Sequence, residues 1–142
     1  HLYSEQVVFA VRAGHPLLVS DHSPLSDLSR YPILMPTTSS IIRPFVDQLL
    51  IANGISSLPN QIETVSDSFG RAFVLSSDAI WIISAGVVSR DIETGLMAAL
   101  PIDTSDTRGP VGLTMRTDAL PSIAMSLLTQ TIREAALSRS LT

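Results

Sequence analysis

The apolar run Ala79-Ile80-Trp81-Ile82-Ile83 stands between Ser77-Asp78 and Ser84-Ala85-Gly86. A short run rich in β-branched side chains, with no alternation of polar and apolar, is the pattern of a strand buried on both faces. Such a strand is stable only when helices cover both sides of its sheet, so the chain is constrained to an α/β architecture. Upstream, Ile62-Glu63-Thr64-Val65 reads as a second strand. Ser66 then precedes Asp67-Ser68-Phe69-Gly70-Arg71-Ala72-Phe73, where its hydroxyl can cap free helix N–H groups and Asp67 favours the helix's positive end. Segment 62–88 is therefore a strand, helix, strand crossover followed by a second capped turn. Open sheets built from such crossovers bind ligands beyond the carboxyl ends of their strands, where helix N-termini converge. Here those ends carry Ser66 and Ser84.

Composition narrows the chemistry. With 142 residues and 45% hydrophobic content the chain can bury a core. Its 9 basic and 13 acidic residues leave a net charge of −4, so no large basic face for a phosphate backbone can form and the chain is not expected to bind DNA by itself. Every basic residue is Arg, and Cys is absent, which excludes disulfides, thiolate nucleophiles and cysteine metal sites. Its apolar runs fall far short of the roughly 18 residues of a membrane span. The start at His1-Leu2-Tyr3-Ser4-Glu5 has neither the features of an export signal nor an initiator Met, which suggests a fragment.

Elsewhere the periods alternate between strand and helix. Gln6-Val7-Val8-Phe9-Ala10-Val11-Arg12 reads as a strand ended by Ala13-Gly14-His15-Pro16. Ser23-Pro24 opens a short helix through Arg30, and Pro32-Ile33-Leu34-Met35 is a short buried strand. The hydroxyl cluster Thr37-Thr38-Ser39-Ser40 then leads into a helix over 41–53, with Pro44 in its first turn and Gly54 at its end. A helical turn to Thr94-Gly95, a strand at Leu96-Met97-Ala98-Ala99-Leu100, a turn-rich stretch over 103–110 and an alternating strand over 111–116 follow. An amphipathic helix over about 121–138, which needs a sheet to cover, closes the chain. The central α/β unit is 14–108, and the strands over 7–12 and 111–115 are expected to present exposed edges.

These segments also carry a family resemblance. The order Glu5-Gln6-Val7-Val8-Phe9-Ala10-Val11-Arg12-Ala13-Gly14-His15-Pro16-Leu17, Leu25-Ser26-Asp27-Leu28 and Tyr31-Pro32-Ile33-Leu34 resembles the effector-binding domain of LysR-type transcriptional regulators. Arg43, Val46-Asp47, Gly54, Ile62-Glu63-Thr64-Val65-Ser66, Gly95-Leu96 through Leu100-Pro101 and Gly109-Pro110-Val111-Gly112-Leu113 fall in that family's order and spacing. The narrower strings Ser77-Asp78-Ala79-Ile80-Trp81-Ile82-Ile83-Ser84 and Asp103-Thr104-Ser105-Asp106-Thr107 resemble the members that govern protocatechuate catabolism.

The resemblance implies a two-lobed fold similar to type 2 periplasmic binding proteins. Residues 1–13 would be a crossover strand and remnant of lobe I, 14–108 the complete lobe II, and 109–142 the return strand and C-terminal helix of lobe I. It implies a small organic acid bound between lobes, such as the β-ketoadipate-pathway intermediate carboxymuconate, and a signal to DNA only through an N-terminal winged helix-turn-helix outside this chain. Homodimers or homotetramers, a cytoplasmic location, no membrane contact and no cofactor belong to the same expectation.

The ligand-binding candidates are Thr37, Thr38, Ser39 and Ser40, which can offer hydroxyls and helix N-terminal N–H groups to a carboxylate, together with Arg43, Ser66 and Ser84. Each has a plainer reading. The hydroxyls of 37–40 and of Ser66 suit ordinary capping, and Arg43 can pair with Asp47 one helical turn on. Many LysR-type relatives have Pro where Ser84 stands. Trp81 fits the core better than a stacking platform. His1, His15 and His22 lack metal-ligand spacing, and the chain has neither a Gly-x-Ser-x-Gly elbow nor a phosphate-cradling loop, so no catalytic or metal site is assigned. The alternative to a regulator is a solute-binding lobe of a transport receptor.

Overall fold

The structure, a computed structural model, describes residues 1–118 and 120–140. Its strands are β1 (Tyr3–Glu5), β2 (Val7–Arg12), β3 (Ile33–Met35), β4 (Gln61–Glu63), β5 (Ile80–Ser84), β6 (Met97–Ala99) and β7 (Gly109–Val111). The helices are α1 (Arg43–Ala52), α2 (Asp67–Leu75), α3 (Ala85–Glu93) and α4 (Ile123–Ser140), with shorter 3-10 segments at Pro16–Leu18, Pro24–Arg30 and Ser105–Thr107. They form two compact units, Gln6–Arg108 and the pair of segments His1–Glu5 and Gly109–Thr142.

The larger unit is built on a mixed sheet of order β4-β3-β5-β2-β6. β3 runs parallel to both β4 and β5, with Ile33 opposite Gln61 on one side and Ile80 on the other. β2 lies antiparallel between β5 and β6, so the expected exposed edge over 7–12 is an interior strand. Its local pattern of apolar residues is the same in either case, and only the pairing of Ala10 with both Trp81 and Ala99 distinguishes them.

Alternation assigns the strand side chains to two cores. Val7, Phe9, Val11, Ile33, Met35, Ile80 and Ile82 point to one face, where they pack with Val46, Leu49 and Leu50 of α1. Ala10, Leu34 and Trp81 point to the other and meet Val74 of α2 and Val88 of α3. α1 and α3 end on Gly54 and Gly95, whose φ angles of 76° and 77° allow the left-handed turn that lets Ile55 N–H and Leu96 N–H reach back to Leu50 O and Asp91 O.

Boundaries shift where side chains compete with backbone. α1 begins at Arg43 rather than 41, because 37–40 form a turn of their own in which Ser40 N–H donates to Thr37 O at 2.9 Å. The 24–30 segment is a 3-10 helix with Pro24 in its first turn, and Ser23 makes no side-chain cap. The turn-rich stretch after β6 carries buried Thr104 and Thr107, which stand in for a strand neighbour. Thr104 Oγ1 donates to Val7 O at 2.7 Å, and Thr107 Oγ1 accepts from Val7 N–H at 3.1 Å.

In the smaller unit β1 and β7 pair antiparallel, with Tyr3 opposite Val111. The strand expected over 111–116 stops at Val111, and among the described residues no strand partner faces 112–116. α4 is capped by Ser122, whose Oγ accepts from Met125 N–H at 3.2 Å. Its Ile123, Leu127 and Leu128 are exposed while Ala136 is buried, so the expected cover over its apolar face is not among the described residues.

α2 packs on the sheet through Gly70. A Cβ built there would lie 2.5 Å from Trp81 Cζ2 and 2.7 Å from Cε2. Trp81 is 2% exposed in a central strand and cannot retreat. Gly70→Ala is therefore expected to lower stability by about 1–3 kcal/mol through overpacking, although Ala gains about 1 kcal/mol in helix propensity. Denaturant unfolding measures it, and an unchanged or raised midpoint would refute the tight contact.

Candidate ligand-binding cleft

The parallel strands β3, β4 and β5 place their carboxyl ends side by side, and a cleft of about 180 Å³ opens beyond them. The β3–α1 connection supplies Pro36, Thr37, Ser40 and Ile42. The β4–α2 connection supplies Thr64, Val65, Ser66 and Asp67, and β5 contributes Trp81 and Ile83 as an apolar floor.

Hydroxyls dominate the polar part of this surface, and they are not all committed to the fold. α1 starts on Ile42 with no side-chain capping bond, so capping does not consume the hydroxyls of 37–40. Thr37 Oγ1 meets Ser39 Oγ at 3.2 Å within the same exposed turn. Ser66 is a true helix cap: its Oγ accepts from Phe69 N–H at 3.2 Å, and its own N–H donates to Thr64 Oγ1 at 3.0 Å. A cap that accepts through one lone pair keeps its hydroxyl proton for another acceptor.

Of the sequence candidates, Thr37, Ser40 and Ser66 line the cleft. Thr38 and Ser39 share the loop without lining it. Ser84 pairs with Val7 and precedes α3 with no capping bond, and it does not line the cleft. Arg43 is held by the fold. Its Nε donates to Asp47 Oδ1 at 2.8 Å, and its Nη1 donates to Glu63 Oε1 and to Pro36 O, each at 2.7 Å. The hydrogen bond to Glu63, then Asp47, keeps the guanidinium pKa above its ordinary value against the opposing effect of burial. With a side chain only 12% exposed and three acceptors around it, this Arg is a structural tie between α1 and β4.

Sequence reasoning passed over Thr64. The signal was present: Thr64 and Ser66 are two apart, so an extended backbone turns them to the same side. Asp67 read only as a helix-dipole residue. A larger cavity of about 550 Å³ lies between the Pro24–Arg30 segment and the 53–58 loop, which enter the amino ends of β3 and β4. The smaller cleft is the better candidate because the strand carboxyl ends and the α2 N-terminus converge on it. Among the described residues no group of His, Asp and Glu is arranged to hold a metal, and no helix is long and apolar enough to cross a membrane.

Residues 1–137 match the sequence profile of the LysR substrate binding domain. The chain belongs to the LysR substrate-binding domain family. It is 62% identical over 136 residues to the HTH-type transcriptional regulator PcaQ of Agrobacterium fabrum (strain C58 / ATCC 33970), a match that covers 96% of this chain and 44% of that protein. The LysR-family fold is shared with the effector domain of the transcriptional regulator AmpR of Pseudomonas aeruginosa, at 16% identity and a TM-score of 0.70, covering 97% of this chain and 65% of that one. It is shared also with the effector binding domain of QuiR in complex with shikimate, at 20% identity and a TM-score of 0.65, covering 96% and 64%. At these identities the likeness establishes the fold, that of LysR regulatory domains with their periplasmic-binding-protein-like α/β architecture.

The two cleft serines should separate in a stability measurement. Ser66→Ala removes the α2 cap and is expected to cost about 1 kcal/mol. Ser40→Ala removes no capping bond and should stay within about 0.5 kcal/mol of the parent. Urea unfolding of both variants checks this, and a larger loss at Ser40 would place the cap in the wrong loop.

Proposed function

We propose that this chain is the effector-sensing domain of a LysR-type transcriptional regulator, and that the cleft beyond β3, β4 and β5 takes a small organic acid. The observation that carries this reading is the convergence of Thr37, Ser40, Thr64 and Ser66 from two strand ends onto one cleft at the α2 N-terminus. Hydroxyls and free first-turn N–H groups are donors suited to a carboxylate, and the Trp81 and Ile83 floor suits the apolar body of an unsaturated or aromatic acid. The resemblance to regulators of protocatechuate catabolism points to acids of that pathway, carboxymuconate among them, and QuiR's shikimate complex supports the class.

In this reading the residues over 14–108, with β2, form the effector-binding subdomain. The effector favours one of two arrangements through differential contacts, and the shift passes to a DNA-binding helix-turn-helix of the full protein, acting in the cytoplasm as a homodimer or homotetramer. The role is binding without turnover. The family match and the naming of PcaQ as a transcriptional regulator favour it over a transport receptor's solute-binding lobe.

Calorimetry on the full-length protein tests the reading. Protocatechuate or carboxymuconate should bind saturably, and the Ser40→Ala, Ser66→Ala double variant should lose about tenfold in affinity, the effect of two hydrogen bonds of roughly 0.7 kcal/mol each. Absence of binding by every pathway acid would sink the ligand class, and undiminished affinity in the folded double variant would move the site elsewhere.

A further inference from the structure

Arg12, Arg30, Arg43, Arg71 and Arg116 are each paired with a carboxylate. Arg108, the last residue of the larger unit, is exposed and has no carboxylate within ion-pair distance among the described residues. Its Nε and Nη2 donate to the neutral Gln6 Oε1 at 3.3 and 3.2 Å, long for a guanidinium, and Nη1 is left over. The nearby Asp103 carboxylate is turned instead to Ser105, whose N–H and hydroxyl donate to it at 3.0 and 2.7 Å.

Gln6 brings this cation to the sheet edge on which the cleft opens. Its backbone O accepts from Ala85 N–H at 2.9 Å, one residue past the carboxyl end of β5. Val8, two residues on and so on the same face, is opposite the cleft-lining Ile83. Gln6 Nε2 donates to Thr104 Oγ1 at 3.3 Å, which leaves the amide oxygen for Arg108. The cleft itself offers neutral donors, and its volume of about 180 Å³ is below the roughly 300 Å³ at which ligand pockets usually begin. An acid with several carboxylates therefore needs a countercharge beyond the cleft rim.

We propose that Arg108 is a specificity-determining residue, taking a further carboxylate of an acid whose first carboxylate occupies the hydroxyl-lined cleft. The inference rests on the reading of that cleft as an organic-acid site. Exchanging a neutral amide oxygen for a carboxylate gives the guanidinium shorter, charge-assisted bonds in a geometry its planar fork matches. The plainer role of Arg108, tying Gln6 to the end of the larger unit, predicts the same effect on every ligand.

The test uses the full-length protein and two probes: cis,cis-muconate, with two carboxylates, and protocatechuate, with one. Affinities of parent, Arg108→Gln and Arg108→Lys are measured by calorimetry at low salt and at about 0.5 M salt, where exposed charges are screened. The Gln variant should lower the ratio of muconate to protocatechuate affinity by about threefold or more at low salt, the size an exposed ion pair reaches, and by less at high salt. The Lys variant keeps the charge without the fork, and its ratio should lie between those of the parent and the Gln variant. A smaller change in the ratio, an equal loss for both probes, or a change that salt does not reduce would overturn the assignment. The parent alone gives a second measurement: salt should weaken muconate more than protocatechuate, and equal weakening would also overturn it. If neither probe binds parent or variant, the organic-acid reading fails and takes this inference with it, whereas binding with an unchanged ratio removes Arg108 alone.

Discussion

The contact between the Trp81 indole and the Cα of Gly70 is the one on which the rest of the larger unit depends. β5 is central, and Trp81 fills the face of the sheet that α2 and α3 cover. Only a residue without a Cβ lets α2 sit close enough to bury that ring. This fixes the height of α2 above the sheet, and so sets where its N-terminus, with Ser66 and Asp67, meets the ends of β3 and β5. The same indole then forms part of the cleft floor, so one side chain links the packing of the core to the shape of the site.

A second constraint is that the buried polar groups are paired. His15 is fully buried, with Nδ1 accepting from Leu17 N–H at 3.1 Å and Nε2 on Asp78 O at 2.9 Å, which assigns the proton to Nε2. Arg12 binds the Asp78 carboxylate through Nε and Nη2 at 3.0 and 2.6 Å. Thr104 and Thr107 satisfy both backbone groups of Val7 at the start of the same strand. An orphaned buried donor or acceptor costs about 1–3 kcal/mol, so these side chains replace ladder bonds that β2 would otherwise lack. The guanidiniums of Arg12, Arg43 and Arg71 each bridge separate elements, and this use of Arg as scaffold leaves the cleft itself without a cation.

Legibility from sequence follows the range of the interaction. β5 was readable because burial on both faces leaves no polar residue in the run, and the Ser66 cap because it is local to three residues. The Arg43–Asp47 pair was readable at i, i+4, whereas Glu63, twenty positions on, was not. β2 looked like an edge because antiparallel pairing on both sides writes nothing extra into the strand. The start of α1 differs from its expected place because four consecutive hydroxyl residues satisfy either a helix cap or a free turn, and in the structure they form the turn. Ser84 stands at a strand end next to the cleft, yet alternation along β5 turns it to the face opposite the cleft-lining Trp81 and Ile83.

The ties around α2 bear on how a ligand is read. Arg71 Nε donates to both oxygens of Asp91 at 3.0 and 3.2 Å, and its Nη2 to Val87 O at 3.0 Å, which joins α2 to α3. Asp91 is 8% exposed, and removing Arg71 would leave its buried carboxylate uncompensated. With Gly70 pressed on Trp81 and Arg71 locked to α3, α2 cannot shift alone. In the proposed reading, a ligand bound by Thr64 and Ser66 would meet a wall already in place, so little of its binding energy would go into ordering the protein. Any displacement it caused would fall on α2 and α3 together, because Arg71 joins them, so a local contact would act on the pair of helices as one layer.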